Sequence, residues 1–196
     1  AFIGPSIPEQ IGAGEAEWKG CCYISLGTVN NRNLPFYQAC IEALRQENFP
    51  VVISVGEQTG LSAFRDVPEH IFLRPRVDQL AVLARASVFV THCGMNSASE
   101  GLYFGVPLVL YPQQAEQGLV ARRVEELGAG LRLKRLSPEA IRAAVRQVRE
   151  QQSYRSRARE IAAGFRDAGG YRRGADKILE AAARGRGTCA EHTPML

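Results

Sequence analysis

Three side chains that could do chemistry lie within nine residues of one another: His92, Ser97 and Glu100. The β-branched and aromatic run at 87–90 predicts a buried strand, and the segment 95–103 predicts a helix. Gly94 marks the turn between them. A helix N-terminus presents free backbone N–H groups and the positive end of its dipole. This stretch therefore predicts an anion-binding site with an imidazole, a hydroxyl and a carboxylate at its mouth.

The composition is that of a globular protein with one buried core. The chain has 196 residues, of which 45% are hydrophobic and 22% are charged. No apolar run is long enough to span a bilayer, and residues 1–14 lack the basic start and apolar core of a signal peptide. The odd number of cysteines, in no framework spacing, indicates reduced thiols. These features together favour a cytoplasmic protein.

The charge pattern does not indicate a nucleic-acid or membrane partner. Net charge is +4, and residues 132–173 hold twelve Lys/Arg against four Asp/Glu. The basic residues recur at helical intervals among apolar ones, which is typical of a solvated helix face. Interleaved aromatics and nucleic-acid-binding motifs are absent from this stretch. The three histidines show no Cys/His ligand spacing, so we expect no metal site, and we expect His70 and His192 to be exposed and inert.

Strands alternate with helices along most of the chain. Apolar strands are predicted at 21–26, 51–55, 71–73, 87–90, 108–110 and 130–133. Their continuous hydrophobicity predicts an α/β fold: a Rossmann-like, doubly wound parallel sheet with helices on both faces. We assign residues 1–20 to a linker or arm, 21–184 to the domain and 185–196 to a disordered tail. The Gly/Pro-rich start suggests that the chain was cut from something longer.

The fold predicts where a ligand would bind. Ligands of such sheets lie at the carboxyl ends of the strands, so the loops 25–28 and 91–94 should line one crevice. The sequence lacks the glycine fingerprint of dinucleotide enzymes, the Gly-Lys-Ser/Thr phosphate loop and the Gly-x-Ser-x-Gly elbow. Hydride transfer is therefore disfavoured.

Several motifs in the right order resemble one known family. The run HCGMNSASEGLYFGVP at 92–107, followed by Pro112 and the triplet AEQ at 115–117, resembles the donor-binding signature of family 1 glycosyltransferases. These are the UDP-glycosyltransferases and macrolide-type enzymes of the GT-B fold. The loop 25–28 resembles the first loop of their donor domain, and Val77-x-Gln79-Leu80 resembles part of their nucleobase segment. The resemblance covers roughly residues 2–184.

The resemblance implies a role for the residues around the diphosphate and the ribose of a UDP- or dTDP-sugar. His92 would donate to a diphosphate oxygen, and Thr28 would approach the same group. Glu100 would accept both ribose hydroxyls, because a carboxylate matches a vicinal diol. Backbone N–H groups at the helix start, with two side chains, would hold the phosphates; these residues are Gly94, Asn96 and Ser97.

It also implies a role for residues at the two ends of the donor. Glu116 and Gln117 would bind hydroxyls of the sugar. Gln79, with the main chain near Arg76 and Val77, would read the base. Many members have Trp-x-Pro-Gln in this segment, whereas this chain has Arg76 in place of Trp and Asp78 in place of Pro. A guanidinium plane can stack on a base, so the donor could carry either uridine or thymidine diphosphate.

The resemblance further implies an inverting transfer to a hydroxyl of a small-molecule acceptor, with no metal or other cofactor. His92 would assist the departing diphosphate. The catalytic base would come from an N-terminal acceptor domain, on the same or another chain, so we predict no catalytic base here and an inactive isolated domain.

Three alternatives remain open at this point. The chain could be the donor subunit of a split glycosyltransferase. It could belong to a nucleotide-sugar epimerase on the same fold, or be a binding module without activity. The sequence does not identify the sugar or the acceptor.

Overall fold

The structure, a computed structural model, describes residues 2–188. Within them, six parallel strands form a single sheet. The strands are β1 (Cys22–Ser25), β2 (Val51–Ser54), β3 (Ile71–Arg74), β4 (Val88–Thr91), β5 (Leu108–Leu110) and β6 (Gly130–Arg132). Their order across the sheet is β3-β2-β1-β4-β5-β6, with every neighbouring pair parallel. The predicted Rossmann-like sheet is confirmed.

The helices cover both faces of this sheet. They are α1 (Leu34–Leu44), α2 (Gln79–Leu83), α3 (Met95–Tyr103), α4 (Ala115–Glu126), α5 (Pro138–Glu150), α6 (Gln152–Asp167) and α7 (Gly170–Thr188). Short 3-10 turns occupy Ala16–Trp18 and Leu61–Ala63. None of these helices is both long and apolar enough to cross a bilayer.

Alternate residues of each central strand pack into separate cores. Ile24 of β1 and Val90 of β4 face a core that α1 and α5 close, whereas Tyr23 and Phe89 face a core closed by α3 and α4. All four are at most 1% exposed. Burial on both faces explains why the strands read as continuous apolar runs rather than alternating ones.

The helix starts follow from local sequence. The Asn33 side chain accepts a hydrogen bond from the N–H of Phe36 at 3.1 Å, and the Ser137 hydroxyl accepts one from Ala140 at 3.2 Å. Asn33 and Ser137 are therefore the N-caps of α1 and α5. Each satisfies an N–H group that has no partner within its own helix.

The two ends of the chain differ from the sequence-based expectation. The segment 2–20 packs on the domain: the N–H of Gly170 donates to the carbonyl of Ile3 at 2.8 Å, and Glu15 pairs with Arg74 at 3.6 Å. Helix α7 runs to Thr188, so residues 185–188 of the predicted tail are helical. Consecutive alanines at 181–183 and the Lys177–Glu180 ion pair at 2.7 Å favour this helix. Residues 189–196 lie outside the described part of the chain.

Part of the basic stretch is not simply solvated. The Arg142 guanidinium donates to the carbonyl of Ala43 at 2.7 Å, which ties α5 to the end of α1. The Arg149 guanidinium lies 4.0 Å from the centre of the Phe49 ring. His70 is likewise not fully exposed, because its Nε2 lies 3.1 Å from the carbonyl oxygen of Leu44.

Two glycines give opposite predictions for the same substitution. A Cβ at Gly130 would lie 2.7 Å from the carbonyl oxygen of Leu108 in the neighbouring strand, so Gly130→Ala should destabilise the fold by about 1–3 kcal/mol. A Cβ at Gly164 in α6 would meet nothing within 4 Å, so Gly164→Ala should stabilise it by about 0.5–1 kcal/mol. Urea unfolding of both variants measures the sign of the change in the free energy of unfolding. If Gly130→Ala stabilised the protein, that result would contradict the close packing of Gly130 on Leu108.

Candidate active site

One large cleft opens where the strand order reverses, between β1 and β4. It encloses about 1130 Å³ and lies at the carboxyl ends of the strands, as expected for this class of sheet. The predicted crevice between the loops 25–28 and 91–94 is therefore present. All of the predicted donor-binding residues line it: Thr28, Arg76, Val77, Gln79, His92, Gly94, Asn96, Ser97, Glu100, Glu116 and Gln117.

The first turn of α3 faces this cleft without a side-chain cap. Gly94 is the N-cap residue, and it has no side chain that could accept from the helix. The earliest bond within the helix runs from the N–H of Ala98 to the carbonyl of Gly94, at 2.9 Å. The N–H groups of residues 95–97, which line the cleft, therefore remain available to an anion.

The His92 imidazole lies between two glycine backbones. A Cβ at Gly27 would be 2.6 Å from Cε1 of the ring, and a Cβ at Gly94 would be 2.5 Å from its Nε2. Neither position has room for a side chain while the ring stays in place. The Nδ1 atom is buried and has no hydrogen-bond partner within residues 2–188. The two glycines thus fix the ring at the mouth of the α3 N-terminus.

Burial lowers the pKa of His92 below its ordinary value of 6.5, because an apolar setting disfavours the charged imidazolium. The backbone of Ser25 and the negative charge of Glu116 oppose this shift. The ring is therefore neutral at pH 7 and can donate from a single nitrogen. A neutral donor beside a helix N-terminus can bind an anion.

The turn between β4 and α3 is held in an uncommon conformation. Cys93 has a φ of 68°, in the left-handed region that non-glycine residues rarely adopt. Its N–H donates to the hydroxyl of Thr91 at 3.2 Å. Its thiol is fully buried, and burial raises its pKa to about 12, so Cys93 is a packing residue. The described cysteines are free, as predicted; Cys189 lies outside the described residues.

A hydrogen-bonded chain of side chains crosses the floor of the cleft. The Gln79 amide donates from Nε2 to the Glu100 carboxylate at 2.6 Å, and lies 3.4 Å from the Ser97 hydroxyl. Its Oε1 accepts from the Tyr23 hydroxyl at 3.2 Å. Gln79 thus contacts the residue expected at the ribose, whereas the family resemblance implied a position at the base. Tyr23 was not predicted, since a tyrosine within a strand carries no signal beyond packing.

Residues at the start of α4 line the other end of the cleft. The Gln117 side chain is 7% exposed, and its Oε1 accepts from the N–H of Gln113 at 2.8 Å. Gln113 in turn donates from Nε2 to the carbonyl of Asn30 at 3.3 Å, which links this loop to the loop after β1. The Gln117 –NH₂ group and the exposed Glu116 carboxylate are the parts that could bind hydroxyls.

The predicted base segment lies at the opposite edge. Arg76 is exposed, with its guanidinium 3.8 Å from the Glu57 carboxylate. Asp78 is the N-cap of α2, and its carboxylate accepts from the N–H groups of Leu80 and Ala81. No group of three or more His, Cys, Asp or Glu residues that could hold a metal ion occurs within residues 2–188.

Comparison with known proteins identifies relatives of this cleft. Residues 39–168 match the family model of the erythromycin biosynthesis protein CIII-like C-terminal domain. The uncharacterized UDP-glucosyltransferase YojK of Bacillus subtilis (strain 168) is 41% identical over 92% of this chain and 46% of its own length. The NDP-glycosyltransferase YjiC of Bacillus licheniformis is 43% identical over 91% of this chain and 47% of its own. The chain thus spans about half the length of these relatives.

A solved structure shows the same architecture. The calicheamicin glycosyltransferase CalG4 superimposes with a TM-score of 0.85 and 29% identity, over 94% of this chain and 48% of that one. The fold and the cleft therefore define a Rossmann-like half of a GT-B enzyme. The chain belongs to the family of CIII-like C-terminal domains of family 1 glycosyltransferases, as its motifs predicted.

The packing around His92 predicts a defect in anion binding. Gly94→Ala retains an allowed backbone conformation, because Gly94 has a φ of −59°, but its Cβ would displace the imidazole. We expect affinity for inorganic pyrophosphate to fall by about tenfold or more, since a hydrogen bond to a charged group is lost. Calorimetry measures this, with Gly164→Ala as the matched control. Equal affinities of the two variants would contradict the placement of the ring.

The lowered pKa of His92 predicts a pH-dependent loss of stability. As pH falls below 6.5, the unfolded chain takes up a proton at this ring before the folded chain does, so the free energy of unfolding decreases. His92→Asn should flatten this decrease between about pH 7 and pH 5. Urea unfolding at several pH values measures the slope of the free energy of unfolding against pH. If NMR showed that the ring titrates at or above its ordinary pKa of 6.5, the lowered pKa of His92 would be contradicted.

Proposed function

We propose that this chain binds a nucleoside diphosphate sugar, UDP- or dTDP-linked, as the donor half of an inverting glycosyltransferase. The sugar passes to a hydroxyl of a small-molecule acceptor. One observation carries the proposal: the uncapped N-terminus of α3 opens at the strand-order reversal, with a fixed imidazole beside it and the Glu100 carboxylate further along the same helix.

The α3 N-terminus suits a diphosphate better than it suits an uncharged ligand. Its free N–H groups and dipole stabilise negative charge, and the Ser97 hydroxyl and Asn96 amide lie on the same turn. In transfer, the bond from the anomeric carbon to the diphosphate breaks and the electron pair remains on the phosphate oxygen. Donors that are already oriented stabilise this growing charge most in the transition state. His92 adds one neutral donor at the same place.

The Glu100 carboxylate suits a ribose. It is partly buried, and Gln79 binds one of its oxygens at 2.6 Å. A carboxylate held in this way can accept from both hydroxyls of the vicinal diol of UDP, and from the 3′-hydroxyl alone of dTDP, without moving. Glu116 and the Gln117 amide, at the far end of the cleft, would then bind hydroxyls of the donated sugar.

The remaining machinery lies outside this chain in the proposal. An acceptor domain, on the same or a separate chain, would supply the base that takes the proton from the attacking hydroxyl. The positive end of α3 provides the charge stabilisation that a divalent cation supplies in other transferases, so no metal is needed. The relatives YojK and YjiC, named as a UDP-glucosyltransferase and an NDP-glycosyltransferase, support the donor class.

Nucleotide binding tests the proposal directly. Calorimetry should show that UDP or dTDP binds this chain in the presence of EDTA, because the cleft supplies its own anion donors. Glu100→Gln should weaken UDP binding by about tenfold, since it removes a charged acceptor for the ribose.

Glu160→Gln is the matched control. Glu160 pairs with Arg157 on the surface of α6, with both side chains at least 60% exposed, so its loss should leave the affinity unchanged. Failure of both UDP and dTDP to bind the unaltered chain would overturn the proposed function.

A further inference from the structure

Tyr23 is a buried tyrosine whose hydroxyl reaches a binding cleft. Its side chain is 1% exposed, and its ring stacks on Phe89 with 4.8 Å between centroids and 14° between planes. Strand β1 fixes its backbone beside β4. The ring therefore has one available position, and its hydroxyl points at the Gln79 amide, 3.2 Å away.

The chemistry of the three groups fixes the direction of each hydrogen bond. The Glu100 carboxylate can only accept, so the Gln79 –NH₂ group must face it. The Gln79 Oε1 then faces Tyr23, which must donate. Burial raises the pKa of Tyr23 and keeps its hydroxyl protonated for this purpose. Each link thus requires the next, from the sheet to the carboxylate.

Without the Tyr23 hydroxyl, this chain of bonds loses its fixed end. Gln79 lies on the short helix α2, and its amide would keep only the bonds that Nε2 makes to Glu100 and Ser97, so its Oε1 would have no partner to fix the orientation of the amide. Glu100 lies on α3, where a carboxylate without a partner can turn toward solvent. The Tyr23 hydroxyl is thus linked to the Glu100 carboxylate through Gln79, although the two residues share no hydrogen bond.

We propose that Tyr23 is a positioning residue that acts through Gln79 to hold the Glu100 carboxylate toward the ribose. Of the two proposed donor nucleotides, this favours UDP, a ribonucleotide, over dTDP, which lacks the 2′-hydroxyl. The inference depends on the proposed function, because it assumes that a nucleotide occupies the cleft. It adds a residue to the site and gives that residue a measurable consequence. Recognition of the 2′-hydroxyl should therefore depend on Tyr23, which acts through Gln79 and Glu100.

A comparison of two nucleotides isolates this role from general stability. UDP and 2′-deoxy-UDP differ only in the 2′-hydroxyl, which would donate a hydrogen bond to the Glu100 carboxylate, and calorimetry gives the dissociation constant of each. The unaltered chain should bind UDP more tightly. Tyr23→Phe should weaken UDP binding by about 3- to 10-fold, since one buried hydrogen bond is lost, and should weaken 2′-deoxy-UDP binding by less than about twofold.

Tyr37→Phe is the matched control. Tyr37 is also fully buried, but its hydroxyl has no hydrogen-bond partner within the described residues and it packs in the core on the other face of the sheet. Its substitution should leave unchanged the ratio of the dissociation constant of 2′-deoxy-UDP to that of UDP. Gln79→Met should lower that ratio, and the double variant with Tyr23→Phe and Gln79→Met should show the same ratio as Gln79→Met alone. An unchanged ratio in Gln79→Met would overturn the inference, because Tyr23 reaches Glu100 only through Gln79 in this chain of bonds.

The outcomes separate the two proposals. A smaller preference for UDP in Tyr23→Phe, with Tyr37→Phe unchanged, supports the inference. Equal weakening of both nucleotides, or equal affinity of the unaltered chain for both, overturns the inference while the proposed function stands. Failure of the unaltered chain to bind either nucleotide or dTDP overturns the proposed function, and the inference with it.

Discussion

The parallel pairing of β1 with β4 is the constraint on which the site depends. Ser25 lies opposite Thr91 at the end of this pair. From there the chain leaves β1 toward one half of the sheet and leaves β4 toward the other, because the strand order reverses at this point. The two loops diverge and leave a space between them. The helix that follows β4 must begin at the edge of that space, so its unpaired N–H groups face whatever enters.

Small residues let the backbones approach closely enough to use this geometry. The imidazole of His92 fits because Gly27 and Gly94 have no side chains. Position 27 also favours glycine because its φ is +79°, in the left-handed region. Cys93 adopts a left-handed conformation without being glycine, which costs about 1 kcal/mol or more. Its complete burial and the hydrogen bond that its N–H donates to the Thr91 hydroxyl offset that cost. Local strain thus occurs at the residue that turns the chain from the strand into the helix.

The sequence predicted what depends on local pattern, and it missed what depends on contacts between distant elements. The turn at Gly94 and the helical segment after it placed α3 at its observed bounds, and the ordered motifs named residues that all line one cleft. The Gln79–Glu100 bond joins residues 21 positions apart, and the Tyr23–Gln79 bond joins residues 56 apart. Neither bond can be inferred until the strand order is known. For the same reason the packing of the N-terminal segment on α7 was not foreseen.

The departures in the base segment can be explained by their surroundings. Asp78 has a φ of −70°, which is also the value that a proline ring imposes. Asp78 can therefore adopt the φ of the proline that it replaces in the Trp-x-Pro-Gln motif. Its carboxylate adds capping bonds to α2 that a proline could not make, which helps to hold Gln79 in place. Arg76 is different, because its guanidinium is 83% exposed and has only a distant ionic partner in Glu57. A side chain so weakly held can stack on a base but does little to select one. In the proposed complex, Arg76 therefore contributes little to the choice between bases.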